Sequence, residues 1–337
     1  MQPNNQIRIN LEFFMYSAKY VFCLIILCFT SVNAYSQPVP AEEENIPYLV
    51  TFGKDAKNGY GDNDHQQVFF LIVPNTYTKA FFIRVFDPDI GGQHDENIGQ
   101  FNTTTNFSVY GGKGNYSERN TIIAPLQSGT LLSSNNFSYN AAIDGQWYGL
   151  GPFDPSQGEW IADLGGRIFK VVCTGISGDD GNLFRYFIST EPNRNVAIEG
   201  ANTFTYEYTF RLPSNSNEVV HIYPYIDKNV ISVKQFNFDF DQDGSIQIIS
   251  ASKNGEQVAV SGNANWQSSV HQITEAEQNK SLDIRFIKPT TNAIENNNIG
   301  FYITNQYGEL LPFYTVPIGG IPRYQYDISI KRIIRNR

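Results

Sequence analysis

The chain has 337 residues, and the first 36 read as an export signal, which leaves roughly 300 for the mature protein, the length of two ordinary domains. With 41% hydrophobic and 17% charged residues, and with 25 Phe, 20 Tyr and 3 Trp, it carries enough apolar surface for a sizeable core, which excludes a disordered tail. The formal charge is −9, or −10 once Arg8, Lys19 and Glu12 leave with the signal. Together with the lack of a basic stripe, this argues against nucleic acid and anionic lipid as partners, because phosphate binding draws on clustered Lys and Arg.

At the N-terminus, Lys19 precedes an apolar stretch from Tyr20 to Phe29, followed by Thr30-Ser31-Val32-Asn33-Ala34. Small residues at Val32 and Ala34 suit a signal peptidase, and Ala34-Tyr35-Ser36 offers a second cleavage point. A start at Met15 would give a more compact signal. Leu27 before Cys28 is wrong for lipid attachment, and no later apolar run approaches the ~20 residues of a membrane span. The expectation is export to the periplasm, the cell surface or the exterior. Cys23 and Cys28 are lost with the signal, so Cys173 has no disulfide partner and reads as a small buried hydrophobe. Residues 37–45, with Pro38, Pro40 and Glu42 to Glu44, read as an exposed lead-in.

Past the lead-in, period-two alternation recurs between clusters of Gly, Asn, Asp and Pro. The nearly continuous apolar runs Val68–Val73, Phe81–Phe86 and Ile168–Cys173 predict central strands covered on both faces. A strand over Leu183–Ser189 is followed by the polar, turn-rich stretch Glu191–Gly200. The next strand, Phe204–Arg211, places Phe204, Tyr206, Tyr208 and Phe210 on one face and Thr205, Glu207, Thr209 and Arg211 on the other. Leu282–Phe286 and Tyr324–Ile330 repeat the scheme, and only Thr274–Lys280 could form a turn or two of helix. The predicted fold is all-β: two antiparallel β-sandwich domains of jelly-roll or immunoglobulin-like type, over 46–195 and 200–337, after a cleaved signal peptide. A single large sandwich with long loops between 110 and 165 is the alternative.

The chemistry-bearing segments are acidic loops. Asp62 and Asp64 precede the 68–73 strand; Asp87, Asp89 and Asp95 follow the 81–86 strand; Asp179 and Asp180 lie between two strands of the first half. In Asp239-Phe240-Asp241-Gln242-Asp243-Gly244, oxygens recur at alternate positions before a glycine, as in the first half of a calcium loop. The second half is missing, because Ser250 stands where the bidentate Glu of an EF-hand would be. A tight turn without metal is the other reading of each loop, and for Asp239–Gly244 that turn is a β-hairpin at Asp243-Gly244. Carboxylates crowded at one end of a sandwich repel one another unless they are solvated or bridged by a hard cation, which makes calcium the expected cofactor.

The phenylalanine-rich strand running into Val85-Phe86-Asp87-Pro88-Asp89, after the Asp62-Asn63-Asp64 turn, resembles the calcium-binding jelly-roll modules of the bacterial pre-peptidase C-terminal type over residues 45–192. That resemblance implies a β-sandwich accessory module that holds calcium with loop carboxylates. The chain departs from the pattern in carrying no peptidase and in having a longer first domain.

Enzyme signatures are sparse. His65, His94, His221 and His271 are scattered without H-E-x-x-H, no G-x-S-x-G occurs, and Gly111–Gly114 reads as a hairpin turn rather than a phosphate loop. Glu159 and Glu207 are the carboxylates nominated for glycoside hydrolysis. Trp147, Tyr148 and Trp160, with Trp266, are candidates for a sugar-stacking platform, though core positions suit them too. The function expected is a non-enzymatic, calcium-stabilised module that adheres, scaffolds or assists outside the cytoplasm and meets a protein or glycan. A carbohydrate-binding module and a secreted hydrolase are the alternatives.

Overall fold

The computed structural model describes residues 38–117, 128–241, 243–288 and 298–320. The expected signal and the expected strand Tyr324–Ile330 lie outside these residues. The strands of the first half are β1 (Tyr48–Phe52), β2 (Gln66–Pro74), β3 (Phe81–Phe86), β4 (Thr104–Gly111), β5 (Thr130–Phe137), β6 (Trp147–Phe153), β7 (Glu159–Ile161), β8 (Gly166–Ser177) and β9 (Gly181–Ser189). After them come β10 (Asn202–Thr205), β11 (Glu207–Arg211), β12 (Val219–Ile222), β13 (Tyr225–Ile226), β14 (Ser232–Phe238) and β15 (Ser245–Ile249). The last are β16 (Asn254–Val258), β17 (Trp266–Gln272), β18 (Lys280–Ser281), β19 (Asp283–Ile287), β20 (Asn298–Asn305) and β21 (Phe313–Tyr314). Short 3-10 turns are the only helical elements among the described residues, and no helix there is long and apolar enough to cross a membrane.

The protein is all-β and its strands pair antiparallel in sandwich-like layers. One eight-stranded sheet runs β17-β14-β20-β11-β1-β9-β3-β6, and a seven-stranded sheet runs β21-β10-β2-β8-β4-β5 with β7 beside β8. A four-stranded sheet, β12-β19-β15-β16, and the β13-β18 pair complete the set. The long sheet draws four strands from each half of the chain and joins them where Tyr48 pairs with Arg211 and Leu49 with Phe210. Strand β10 likewise pairs with β2 of the first half, Phe204 opposite Phe70.

Two covers pack on one face of the long sheet. The seven-stranded sheet meets it through Phe69, whose ring lies 4.7 Å from Tyr186, and through Phe81 with Phe169 at 5.0 Å. The four-stranded sheet meets it through Phe286, which lies edge-on to Phe210 at 5.2 Å and to Phe301 at 5.3 Å. Tyr208 and Phe210, two apart on β11 and so on one face, connect the covers: Tyr208 reaches Phe69 and Phe210 reaches Phe286. Both are fully buried, and burial of such a side chain is worth about 1.5–3 kcal/mol. Cys173 lies in the same cluster, buried as expected, with Sγ 3.5 Å from Thr51 Oγ1, and burial pushes its thiol up.

The structure differs from the sequence reading in three places. The strand expected over Phe204–Arg211 is broken at Tyr206: β10 belongs to the seven-stranded sheet and β11 to the eight-stranded one. Thr205 Oγ1 covers the break, donating to Val68 O at 2.7 Å and accepting the Glu207 N–H at 3.3 Å. The lead-in, expected to be exposed, is tied down: Val39 pairs with Tyr186 in an isolated bridge, and Val39, Ala41 and Glu44 are buried. The Asp239–Gly244 segment is not a hairpin, because β14 and β15 sit in different sheets and the segment crosses from the long sheet to its cover.

Candidate functional site

The acidic loops of the first half gather around the end of β1. The N–H of Phe52, its last residue, donates to Asp62 Oδ2 at 2.9 Å, and the next N–H, of Gly53, donates to Asp180 O at 3.0 Å. Asp62 Oδ1 also accepts the amides of Asp64 at 3.2 Å and His65 at 2.9 Å. The Asp180 carboxylate accepts Ile98 N at 2.8 Å, Asn102 N at 2.7 Å and Thr103 N at 3.3 Å, which fixes the 97–103 segment. Asp95 accepts Gly91 N and Leu183 N, each at 2.7 Å. The three loops therefore share one end of the sandwich. Asp62, Asp95 and Asp180 act there as acceptors for main-chain donors that would otherwise lack partners.

Asp87 and Asp89 differ from these. Asp87 follows β3 in the left-handed region at φ 56°, and its N–H donates to Gln146 O at 2.9 Å. Asp87 Oδ1 accepts Gly145 N at 2.7 Å and Asp89 Oδ2 accepts Asn140 N at 2.8 Å. Their second oxygens, Asp87 Oδ2 and Asp89 Oδ1, are buried without a partner, although both residues are 0% exposed. Asn182 Oδ1 is also buried without a partner, while its Nδ2 donates to Pro88 O at 2.7 Å, inside the same loop. Asp144 approaches behind Gly92, which holds a left-handed φ of 68° that favours glycine and where a Cβ would lie 2.0 Å from Asp144 Oδ1 unless that carboxylate moved. Burial, then the Asp144 and Asp89 charges, push the Asp87 carboxyl up to about 6; burial and the Asp87 and Asp89 charges push Asp95 up to about 9. Burial, then Asp144, raises Asp89 as well. No Lys, Arg or His among the described residues forms an ion pair with any of these four.

Among the described residues no group of three or more His, Cys, Asp or Glu side chains has the arrangement of a metal site. A hard cation here would rest on the two free carboxylate oxygens and complete its shell with carbonyl oxygens and water, as calcium does. Of the other nominated carboxylates, Asp179 has its Oδ1 buried without a partner, and its N–H donates to Asn102 Oδ1 at 3.0 Å. Asp239 accepts Ala264 N at 2.6 Å and is pushed up to about 6 by burial and then by Asp241. Asp241 is raised by burial and by Asp243, whose own N–H closes a turn onto Phe240 O at 2.9 Å.

The aromatic candidates separate. Trp147 and Tyr148 are consecutive on β6 and point to opposite faces: Trp147 lies 5.5 Å from Phe86 under the Arg84 guanidinium, and Tyr148 sits edge-on to Phe137. Trp160, 46% exposed, stands on β7 in the other sheet. Glu159 and Glu207 are not brought together. The Glu159 carboxylate accepts Gly114 N at 3.0 Å, Tyr116 N at 2.6 Å and Ser117 N at 3.0 Å, which holds the turn after β4. Glu207 lines a different feature, a cleft of about 830 Å³ on the long sheet, with Asp64, Lys234, Phe236, Trp266 and Tyr302. Of the sugar-stacking candidates, only Trp266 is in it.

No model of a known protein family matches the chain, and no curated protein matches it.

Proposed function

We propose that this chain is an exported, non-enzymatic β-sandwich module that binds calcium in the loop carrying Asp87 and Asp89, and that serves as an adhesive, scaffolding or accessory component of the cell envelope or exterior. The observation that supports it is the pair of buried, partnerless carboxylate oxygens, Asp87 Oδ2 and Asp89 Oδ1, in a loop with two further carboxyls and, among the described residues, no ion pair to either. A buried carboxylate oxygen without a partner costs free energy that either a proton or a cation can relieve. Calcium suits the position because it accepts oxygens of mixed type in a loose geometry, and the oxygens here come from carboxylates, Asn182 and the main chain. The same ligand chemistry is what the resemblance to pre-peptidase C-terminal modules implies. An exported chain with one thiol also gains from an ion where a disulfide would otherwise brace the loops.

The test is thermal melting in calcium against chelator at pH 8. A ligand bound only by the folded state at a hundredfold its Kd adds about 2.7 kcal/mol, which for a domain of this size raises the melting temperature by about 5 °C. An unchanged melting temperature removes calcium from the proposal.

A further inference from the structure

The calcium proposal makes no use of the cleft on the long sheet. Along one row of that sheet Glu207 pairs with Tyr302, and Tyr302 pairs with Phe236, so three neighbouring strands present these side chains side by side on one face. That face is the reverse of the packed one, because Tyr208 and Phe210 of β11 turn to the covers while Glu207 turns the other way. The Phe236 and Tyr302 rings stack with centroids 4.4 Å apart and planes 16° apart, and Trp266 adds a third ring 5.0 Å from Tyr302. None of the three is fully buried, so apolar ring surface remains open in a recess of about 830 Å³. Asp64 reaches the cleft from the loop before β2, and no hydrogen bond ends on the Glu207 carboxylate among the described residues.

We infer that this cleft is a binding site for a neutral glycan, whose pyranose faces lie against Trp266 and Tyr302 and whose hydroxyls are hydrogen-bonded by Glu207 and Asp64. The ring surface that Trp266 and Tyr302 leave uncovered can meet the weakly apolar face of a sugar, and a few convergent polar groups fix its orientation. Charge selects the class of ligand. Two carboxyls beside a third, Asp62, disfavour an anionic ligand. A cationic one is disfavoured from the other side, because Lys234 Nζ already lies 4.7 Å over the Phe236 ring, where an ammonium would sit.

The chain has three Trp, so a Trp147→Phe, Trp160→Phe variant leaves Trp266 as the sole indole reporter. This variant is titrated with soluble β-glucan, xylan, galactomannan and α-mannan, and separately with a trimethyllysine peptide, while Trp266 emission is read; retardation of the otherwise native protein in gels containing each polysaccharide is the second readout. The expected result is a saturable emission change with at least one polysaccharide, retardation in the same gel, and loss of about tenfold or more in affinity for Trp266→Ala and for Glu207→Gln at unchanged circular dichroism. Glu207→Gln keeps the side-chain shape, so the test survives if Trp266→Ala does not fold. An absence of response to all four polysaccharides, equal retardation of the variants and the parent, or a response to the cationic peptide alone overturns the inference. Because Asp87 and Asp89 take no part in the cleft, these results are independent of the calcium proposal.

Discussion

Asp87 and Asp180 are both 0% exposed and lie at the same end of the sandwich, yet replacement of each by Asn is expected to act in opposite directions. The Asp180 carboxylate receives three main-chain N–H groups, from Ile98, Asn102 and Thr103. An amide retains one acceptor oxygen and turns an NH₂ towards the remaining donors, so one or two buried donors lose their partner at about 1–3 kcal/mol each. Asp180→Asn should therefore cost about 2–5 kcal/mol, read as a lower urea midpoint at unchanged slope, with tyrosine and tryptophan fluorescence as the signal. In Asp87→Asn the Oδ1 bond from Gly145 survives, and the partnerless, charged Oδ2 gives way to an uncharged NH₂ beside the Asp144 and Asp89 carboxylates, which can accept from it. In chelator at pH 8 this change should be neutral or stabilising by about 1 kcal/mol, because it removes an uncompensated buried charge. Comparable destabilisation by both variants in chelator, or a cost below about 0.5 kcal/mol for Asp180→Asn, would refute the division between tying and ligating carboxylates.

Two further outcomes are expected. In chelator the melting temperature should fall as pH rises from about 4 to 8. The carboxyls of Asp87, at about 6, and of Asp95, at about 9, lie above their unfolded value of 3.8, so the folded chain holds more protons in that window and loses stability as they leave; a flat or rising profile contradicts this. Phe210→Ala, at a fully buried site where β11 meets Phe286, should cost about 3–5 kcal/mol, whereas Val270→Ala, at a site 60% exposed, should stay within about 0.5 kcal/mol. Paired denaturant melts check both, and similar losses at the two sites would contradict the placement of the core.

The strands were legible because alternation and apolar runs record which side chains are covered, and the runs 68–73, 81–86 and 168–173 lie within β2, β3 and β8. What alternation does not record is which sheet a strand joins. Phe204 to Phe210 alternate without interruption, yet Tyr206 marks the passage between two layers, and both layers bury the same kind of residue. The acidic loops were equally visible, but the role of each carboxylate was not. Asp87 and Asp180 both sit in Gly- and Asp-rich turns, and their partners lie 58 and 82 residues away at Gly145 and Ile98. The cleft was hidden for the same reason. Glu207, Phe236, Trp266 and Tyr302 come together only after β11, β14, β17 and β20 have paired, and in the sequence Trp266 carries no mark that sets it apart from Trp147 or Trp160.

The most direct measurement is isothermal titration of calcium into the purified protein at pH 8, beside the Asp87→Asn, Asp89→Asn double variant. The calcium proposal predicts saturable binding to the parent that weakens as pH falls towards 5, where protons compete for the same oxygens, and no binding to the variant. Absence of calcium heat in the parent, or equal binding by the two proteins, would contradict it.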